Sequence, residues 1–419
     1  MAPSPPYDVV VVGLGLAGLV AATAARAGGA RTLVVGRGYG TLRFRPGTID
    51  VLGYWEGRPV EMPGIRVAAV AAAERRHPYA LAGGDLAPAL EAVRGAAAAA
   101  GLALEGSLDG NQLVATAAGT LRPACLVPAS MRAGWSGADV LVVGLAGYRD
   151  FQPELAAAVL PEAAARRGLR LTARPATIDL PSLRRRHLGG LELARTFERP
   201  EFRREVVAVL RGVLGGATLV ALPAVIGLEG APDAAADLVR GLGVPVVELA
   251  TLPPSVPGMR LELALAAELR RAGVTLQVGP RVRLFGADGR VEWVELEAPG
   301  HPLRIRADRV VLATGGLASG GLEIGLDGAI REPAAGLPVS QPVEALFGRA
   351  FLEPGGHPAG RAGLRVDGDM RPLGAGGVPV YDNLFAAGGL LAHASRAVER
   401  SADGIACATG WRAGAGAAA

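Results

Sequence analysis

A chain of 419 residues is long enough for two or three folding units and a large buried core. Its two cysteines and lack of lysine exclude a disulfide framework, a four-thiolate iron–sulfur or zinc site within the chain, and any Schiff-base or P-loop lysine. The formal charge of +4, with 43 basic residues (all arginine) set against 39 acids, excludes nucleic-acid binding by charge alone.

Val9-Val-Val-Val12 is a β-branched run suited to a parallel strand covered on both faces. It enters Gly13-Leu-Gly-Leu-Ala-Gly18, from which a helix runs to about Ala27 before Gly28-Gly29 stops it; residues 31–35 form a second strand. Strand, glycine turn, helix and strand in this order point to a dinucleotide-binding unit. Gly13 makes the tight turn, Gly15 lets backbone approach a pyrophosphate, and Gly18 lets helix and strand pack closely. Leu16 and Ala17 open the helix, whose N–H groups and partial positive charge favour phosphate. The acid expected at the end of the second strand to hold a ribose is missing: Gly36-Arg37-Gly38 stands there, and the next acid is Asp50. Either Arg37 meets a phosphate, or that end of the nucleotide is held differently, or the adenosine half is absent. The uncharged stretch 9–25 is short for a membrane helix, carries three glycines and lacks the positive flank of a signal peptide. The chain is therefore expected in the cytoplasm.

The middle of the chain reads as further α/β units. Strands are expected at 139–144, 169–178, 218–226 and 244–249, with helices at 153–167 and 233–241. Gly144-Leu-Ala-Gly147 imitates a second phosphate turn, but reads first as an ordinary strand-to-helix loop. Arg184-Arg-Arg-His187 reads as a solvated helix start or loop, with a subunit or membrane-surface contact as the alternative.

Beyond Leu252 the pattern changes. Residues 253–258 form a rigid loop, followed by a helix over 259–272 and extended segments at 275–285 and 291–296. Residues 308–316 make a buried strand ending in Thr314-Gly315-Gly316, where small residues let backbone come close to a cofactor. Residues 383–389 give a strand and turn through Gly388-Gly389, and a last helix begins near Asp403-Gly404 with its N-terminus aimed at the same place.

Three separated segments and the material between them agree on one family. Pro46-Gly-Thr-Ile-Asp50, with Thr48 in it, His77-Pro-Tyr79, Gly144-Leu-Ala-Gly-Tyr-Arg-Asp-Phe151, Thr251-Leu-Pro-Pro-Ser-Val-Pro-Gly258 and Arg331-Glu-Pro333 extend the glycine turn. Nearly end to end, the chain resembles the B-type subunit of the anaerobic glycerol-3-phosphate dehydrogenase complex, in the FAD-dependent oxidoreductase superfamily. The resemblance implies an FAD/NAD(P)-binding, Rossmann-like, doubly wound α/β sheet with an inserted α/β domain and a β-meander. Residues 1–75 and 251–419 form the flavin-binding parts, and residues 76–250 the insertion at a substrate or subunit interface. It implies a flavoprotein working beside a larger flavoprotein subunit that oxidises sn-glycerol 3-phosphate and an iron–sulfur subunit that passes electrons to quinone. Membrane contact, at the inner face, comes only through a partner. The family is described with FMN on this subunit, whereas the fingerprint suits FAD. Residues 391–404 depart from the family pattern, with several glycines replaced.

Cofactor contacts are expected at Gly13, Gly15, Leu16, Ala17, Gly18, Gly36, Arg37, Thr48, Thr314, Gly315, Gly316, Gly388 and Gly404, and no metal site is expected. His393 is a candidate proton donor near a flavin, and Arg45, with Arg43, a candidate for a phosphate or carboxylate substrate. His77 reads as a loop-packing residue. A free-standing FAD-dependent oxidoreductase of another small substrate and a flavin-free scaffold subunit remain open readings.

Overall fold

The structure, a computed structural model, describes residues 7–184, 188–298, 300–341 and 346–419. The arginine-rich reading at 184–187 therefore lies almost wholly outside the described residues.

Strand β1 (Tyr7–Val12) is buried from Val9 to Val12, at 0–2% exposure, because both faces of its valine run are covered. Helix α1 (Leu16–Ala27) returns the chain to strand β2 (Thr32–Gly36), which pairs in parallel with β1. Three later segments complete a five-stranded parallel sheet, in the order Thr275–Val278, β2, β1, Ala307–Leu312, Leu384–Ala386. The C-terminal helix Ala402–Ala418 lies directly on α1, since added methyls at Gly410 and Gly414 would sit 2.5 Å and 2.1 Å from the carbonyl oxygens of Ala17 and Ala21.

A second, four-stranded parallel sheet has its own core, in the order Thr172–Ile178, Asp139–Leu145, Leu219–Pro223, Val246–Leu249. That core runs from Ala115 to Val256, while Tyr79, Leu86, Leu90 and Val93 pack into the first core. The division between the cores thus falls later than residue 76. Helix Leu86–Ala99 packs on the first sheet's helices, and Pro63–Ala73 contributes Val67 and Val70 to the same core instead of joining the insertion.

A long helix, Val256–Arg271, joins the two cores. Val256 belongs to the second, whereas Leu261, Leu265 and Leu269 belong to the first. It starts three residues earlier than the Pro-rich sequence suggests. Ser255 caps it by accepting from the Gly258 N–H (3.1 Å), and a proline in the first turn loses no helical hydrogen bond. Arg260 on this helix donates to both oxygens of Glu248 (2.6 and 2.9 Å) and to the carbonyls of Ile226 and Gly227 (2.9 Å each), locking helix to insertion. The extended stretch 275–285 divides: its first part joins the first sheet, and Val282–Ala287 begins an antiparallel meander with Arg290–Leu296 and Leu303–Ile305.

Candidate functional site

The C-terminal ends of β1, β2 and Ala307–Leu312 open into a cleft of about 1180 Å³. That exceeds the ~300–1,000 Å³ of ordinary small-molecule pockets and gives room for a dinucleotide.

The glycine turn forms its floor. Gly13 adopts φ +124°, and an added Cβ would lie 2.2 Å from the Ala313 carbonyl oxygen, so only glycine lets the turn press against the neighbouring strand. Gly18 does not line the cleft; its Cβ would lie 1.8 Å from the Gly13 oxygen, and it lets α1 pack beneath the turn. Gly15 differs from both. A Cβ there meets nothing closer than Gly40 Cα at 3.9 Å, and the space it would enter is the cleft. Gly15 caps α1 without a side-chain hydrogen bond, and the first turn contains no acid. The N–H groups opening α1 at Leu16 and Ala17 thus face the cleft, with the helix dipole favouring an anion.

Gly36, Arg37 and Tyr39 border the cleft at the end of β2. Arg43 does not line it: it pairs with Glu262 (2.8 Å) and stacks on the Tyr39 ring, 3.6 Å from its centroid. On the opposite side stand Thr314, Gly315, Gly316 and Gly389. The Thr314 hydroxyl is buried and has no hydrogen-bond partner among the described residues.

A charged belt closes the cleft near the C-terminal helix. Arg45 lines the cleft and donates to Asp403 (2.9 Å), whose charge raises the Arg45 pKa above its ordinary value. Burial raises Asp403 as well, above the usual carboxylate range, against the pull of Arg45. Behind it, Thr48 donates to Asp50 (2.8 Å) and Arg122 pairs with Asp50. Glu332, also at the cleft, is raised by burial, while the N–H groups of Ala334 and Ala335 (2.8 Å each) pull it down.

Several expected contacts stand one or two residues away from the cleft. Thr48, Gly388 and Gly404 do not line it; Asp50, Gly389, Ala402 and Asp403 do. Gly388 instead packs on Ala17, and Gly404 on the Val51 backbone and Tyr79 hydroxyl. His393 is also absent from the lining. It is half-buried at φ +77°, and burial, with Arg76, Arg361 and Arg365 adding, lowers its pKa. That position gives no support to proton donation at the cleft. His77 is fully buried and caps a short helix: its Nδ1 accepts from the Tyr79 N–H (3.1 Å), so Nε2 carries the proton donated to Glu399 (3.2 Å). Burial raises the Glu399 pKa, but bonds from His77 and Ser401 outweigh it and leave the carboxyl below its ordinary value.

An open helix N-terminus, a glycine facing free space and an unpartnered buried hydroxyl across the cleft fit a flavin dinucleotide. Comparison with known proteins agrees. The family described as FAD binding domain matches residues 8–404. A probable B-type subunit of an anaerobic glycerol-3-phosphate dehydrogenase from Halobacterium salinarum is 34% identical, covering 98% of this chain and 97% of that protein. The B-type subunit of the anaerobic glycerol-3-phosphate dehydrogenase of Pectobacterium atrosepticum is 30% identical, covering 92% of each chain. Among solved structures, the open conformation of a flavocytochrome c3 fumarate reductase aligns with 100% of this chain and 79% of its own at 12% identity and TM-score 0.47.

Proposed function

Since the chain belongs to the FAD-binding family and to that of the anaerobic glycerol-3-phosphate dehydrogenase B-type subunits, we propose that it is the flavoprotein subunit through which a respiratory complex oxidises sn-glycerol 3-phosphate to dihydroxyacetone phosphate. FAD, when bound, supplies a redox centre able to take up the two electrons that the complex removes from the alcohol. The protein's part is placement and electrostatics. Gly15 and the N–H groups of Leu16 and Ala17 would hold the pyrophosphate. Arg37 and Tyr39 would border the nucleoside, taking the place of the missing ribose acid. Thr314, Gly315, Gly316 and Gly389 would flank the opposite end, where the Thr314 hydroxyl gains a partner. The Arg45–Asp403 pair keeps that end close to neutral while leaving a guanidinium beside it.

With two cysteines the chain cannot carry a four-thiolate cluster. Electrons leaving the flavin therefore pass to a partner: an iron–sulfur subunit leading to quinone, beside a larger flavoprotein subunit. Among the described residues no helix is long and apolar enough to cross a membrane, and contact with the cytoplasmic face of a membrane is assigned to such a partner.

The observation that carries this reading is the uncapped start of α1, with Gly15 open to the cleft. Acceptor reduction with sn-glycerol 3-phosphate tests it. The chain alone should be slow, partners should restore turnover, and Gly15→Val in the assembled complex should lower it again. Full activity of the chain alone would mark a free-standing oxidoreductase, and full activity of a complex carrying a flavin-free variant would mark a scaffold.

A further inference from the structure

Strand β2 ends in Gly36, followed by Arg37, where a nucleoside-binding sheet ordinarily places an acid. The groups there fill its space without its chemistry. A guanidinium only donates, so Arg37 cannot take the protons of ribose hydroxyls or of an adenine amino group. The Tyr39 hydroxyl is a neutral acceptor, weaker than a carboxylate. A charged acceptor for that end has to come from elsewhere in the chain.

Among the described residues five carboxylates line the cleft: Asp50, Glu297, Glu323, Glu332 and Asp403. Three are spent within the protein. Asp50 accepts from Thr48 (2.8 Å) and pairs with Arg122, Asp403 accepts from Arg45 (2.9 Å), and Glu332 accepts from the N–H groups of Ala334 and Ala335 (2.8 Å each). Glu323 follows the loop after Ala307–Leu312, on the far side of β1 from β2. That leaves Glu297.

The meander carries Glu297 to the nucleoside end. The strand Thr275–Val278 pairs in parallel with β2, and just beyond it the Gly279 N–H donates to the Gly36 carbonyl (2.9 Å). Two residues on, the Arg281 carbonyl accepts from the Glu297 N–H (2.9 Å), and Val282 pairs with Leu296. Residues 280–283 and Glu297 thus form the cleft wall next to Gly36 and Arg37. The Glu297 side chain is 48% exposed, and its contact with Arg283, at 3.7 Å, is longer than a hydrogen bond, so its oxygens remain available to a ligand.

We propose that Glu297 is the carboxylate that fixes the adenosine end of FAD, supplied by the meander in place of the acid missing from β2; this rests on the flavin reading above. FMN has no adenosine to offer it. The residue therefore favours the dinucleotide over the mononucleotide.

Titration of the full-length protein, freed of its flavin, with FAD and separately with FMN, followed by flavin fluorescence, tests the assignment. In the wild type FAD should bind more tightly than FMN. Glu297→Gln should weaken FAD about tenfold, because a hydrogen bond to a charged group is lost, and leave FMN within about twofold. Glu297→Asp keeps the charge on a shorter arm and should fall between Glu297→Gln and wild type. Should flavin removal unfold the protein, FAD release from diluted holoprotein decides instead: release about tenfold faster in Glu297→Gln supports the proposal, and an unchanged rate overturns it. Unchanged FAD affinity in Glu297→Gln overturns it, and so does an equal loss for FAD and FMN, which would mark a general effect on the cleft. Equal affinities of FAD and FMN in the wild type overturn it too, but leave the flavin site at α1 standing. Binding of neither flavin by folded wild-type protein would overturn both the proposal and the flavin reading.

Discussion

Two glycine-rich turns leave parallel strands in this molecule, Gly13-Leu-Gly-Leu-Ala-Gly18 in the first sheet and Gly144-Leu-Ala-Gly147 in the second, and they end in opposite states. After the first, α1 begins at once, with no side-chain cap and no acid in its first turn. After the second, the helix Pro153–Ala165 waits until Pro153, which has no N–H to offer, and Glu154 already places a negative charge in the first turn. The space differs as well. A Cβ on Gly15 would enter the cleft, whereas a Cβ on Gly144 would lie 2.8 Å from the Pro153 ring. A phosphate turn is therefore defined less by its glycines than by what the next helix leaves unsatisfied.

The comparison breaks most visibly at Gly18. An alanine methyl there would lie 1.8 Å from the Gly13 carbonyl oxygen, with backbone on both sides of the clash. Gly18→Ala should cost upwards of about 3 kcal/mol, with loss of soluble protein or a large fall in Tm by thermal denaturation. Gly144→Ala sharpens the contrast. Its methyl crowds the Pro153 ring, so it should cost about 1–3 kcal/mol by the same measurement, while flavin bound per folded protein stays at the wild-type level. Flavin loss in that variant would mean that the second turn also takes part in binding.

How far the sequence is readable follows from how local each feature is. β1, α1 and β2 are legible because their signal, a buried valine run and glycines at fixed spacing, lies within neighbouring residues. The helix start at Val256 is obscured by prolines that read as a loop, although Ser255 three residues before Gly258 is a capping signal. The cleft's charged belt is harder. Arg45 and Asp403 meet across 358 positions of sequence, and nothing near either announces the pairing. The same distance explains the displaced contacts: which of Gly388 and Gly389, or of Asp403 and Gly404, faces the cleft depends on how the C-terminal segments dock on α1 and on the Val51 backbone.

The central claim is that the start of α1 holds the flavin, and Gly15→Val tests it most directly. Gly15 lies open, with its Cβ position 3.9 Å from the nearest atom, so the variant should fold like the wild type by circular dichroism and keep its Tm within a few degrees. The measurement is the amount and mass of flavin released from each purified protein. The account predicts near-stoichiometric FAD from the wild type and almost none from the folded variant. Wild-type flavin content in a folded Gly15→Val protein would contradict it.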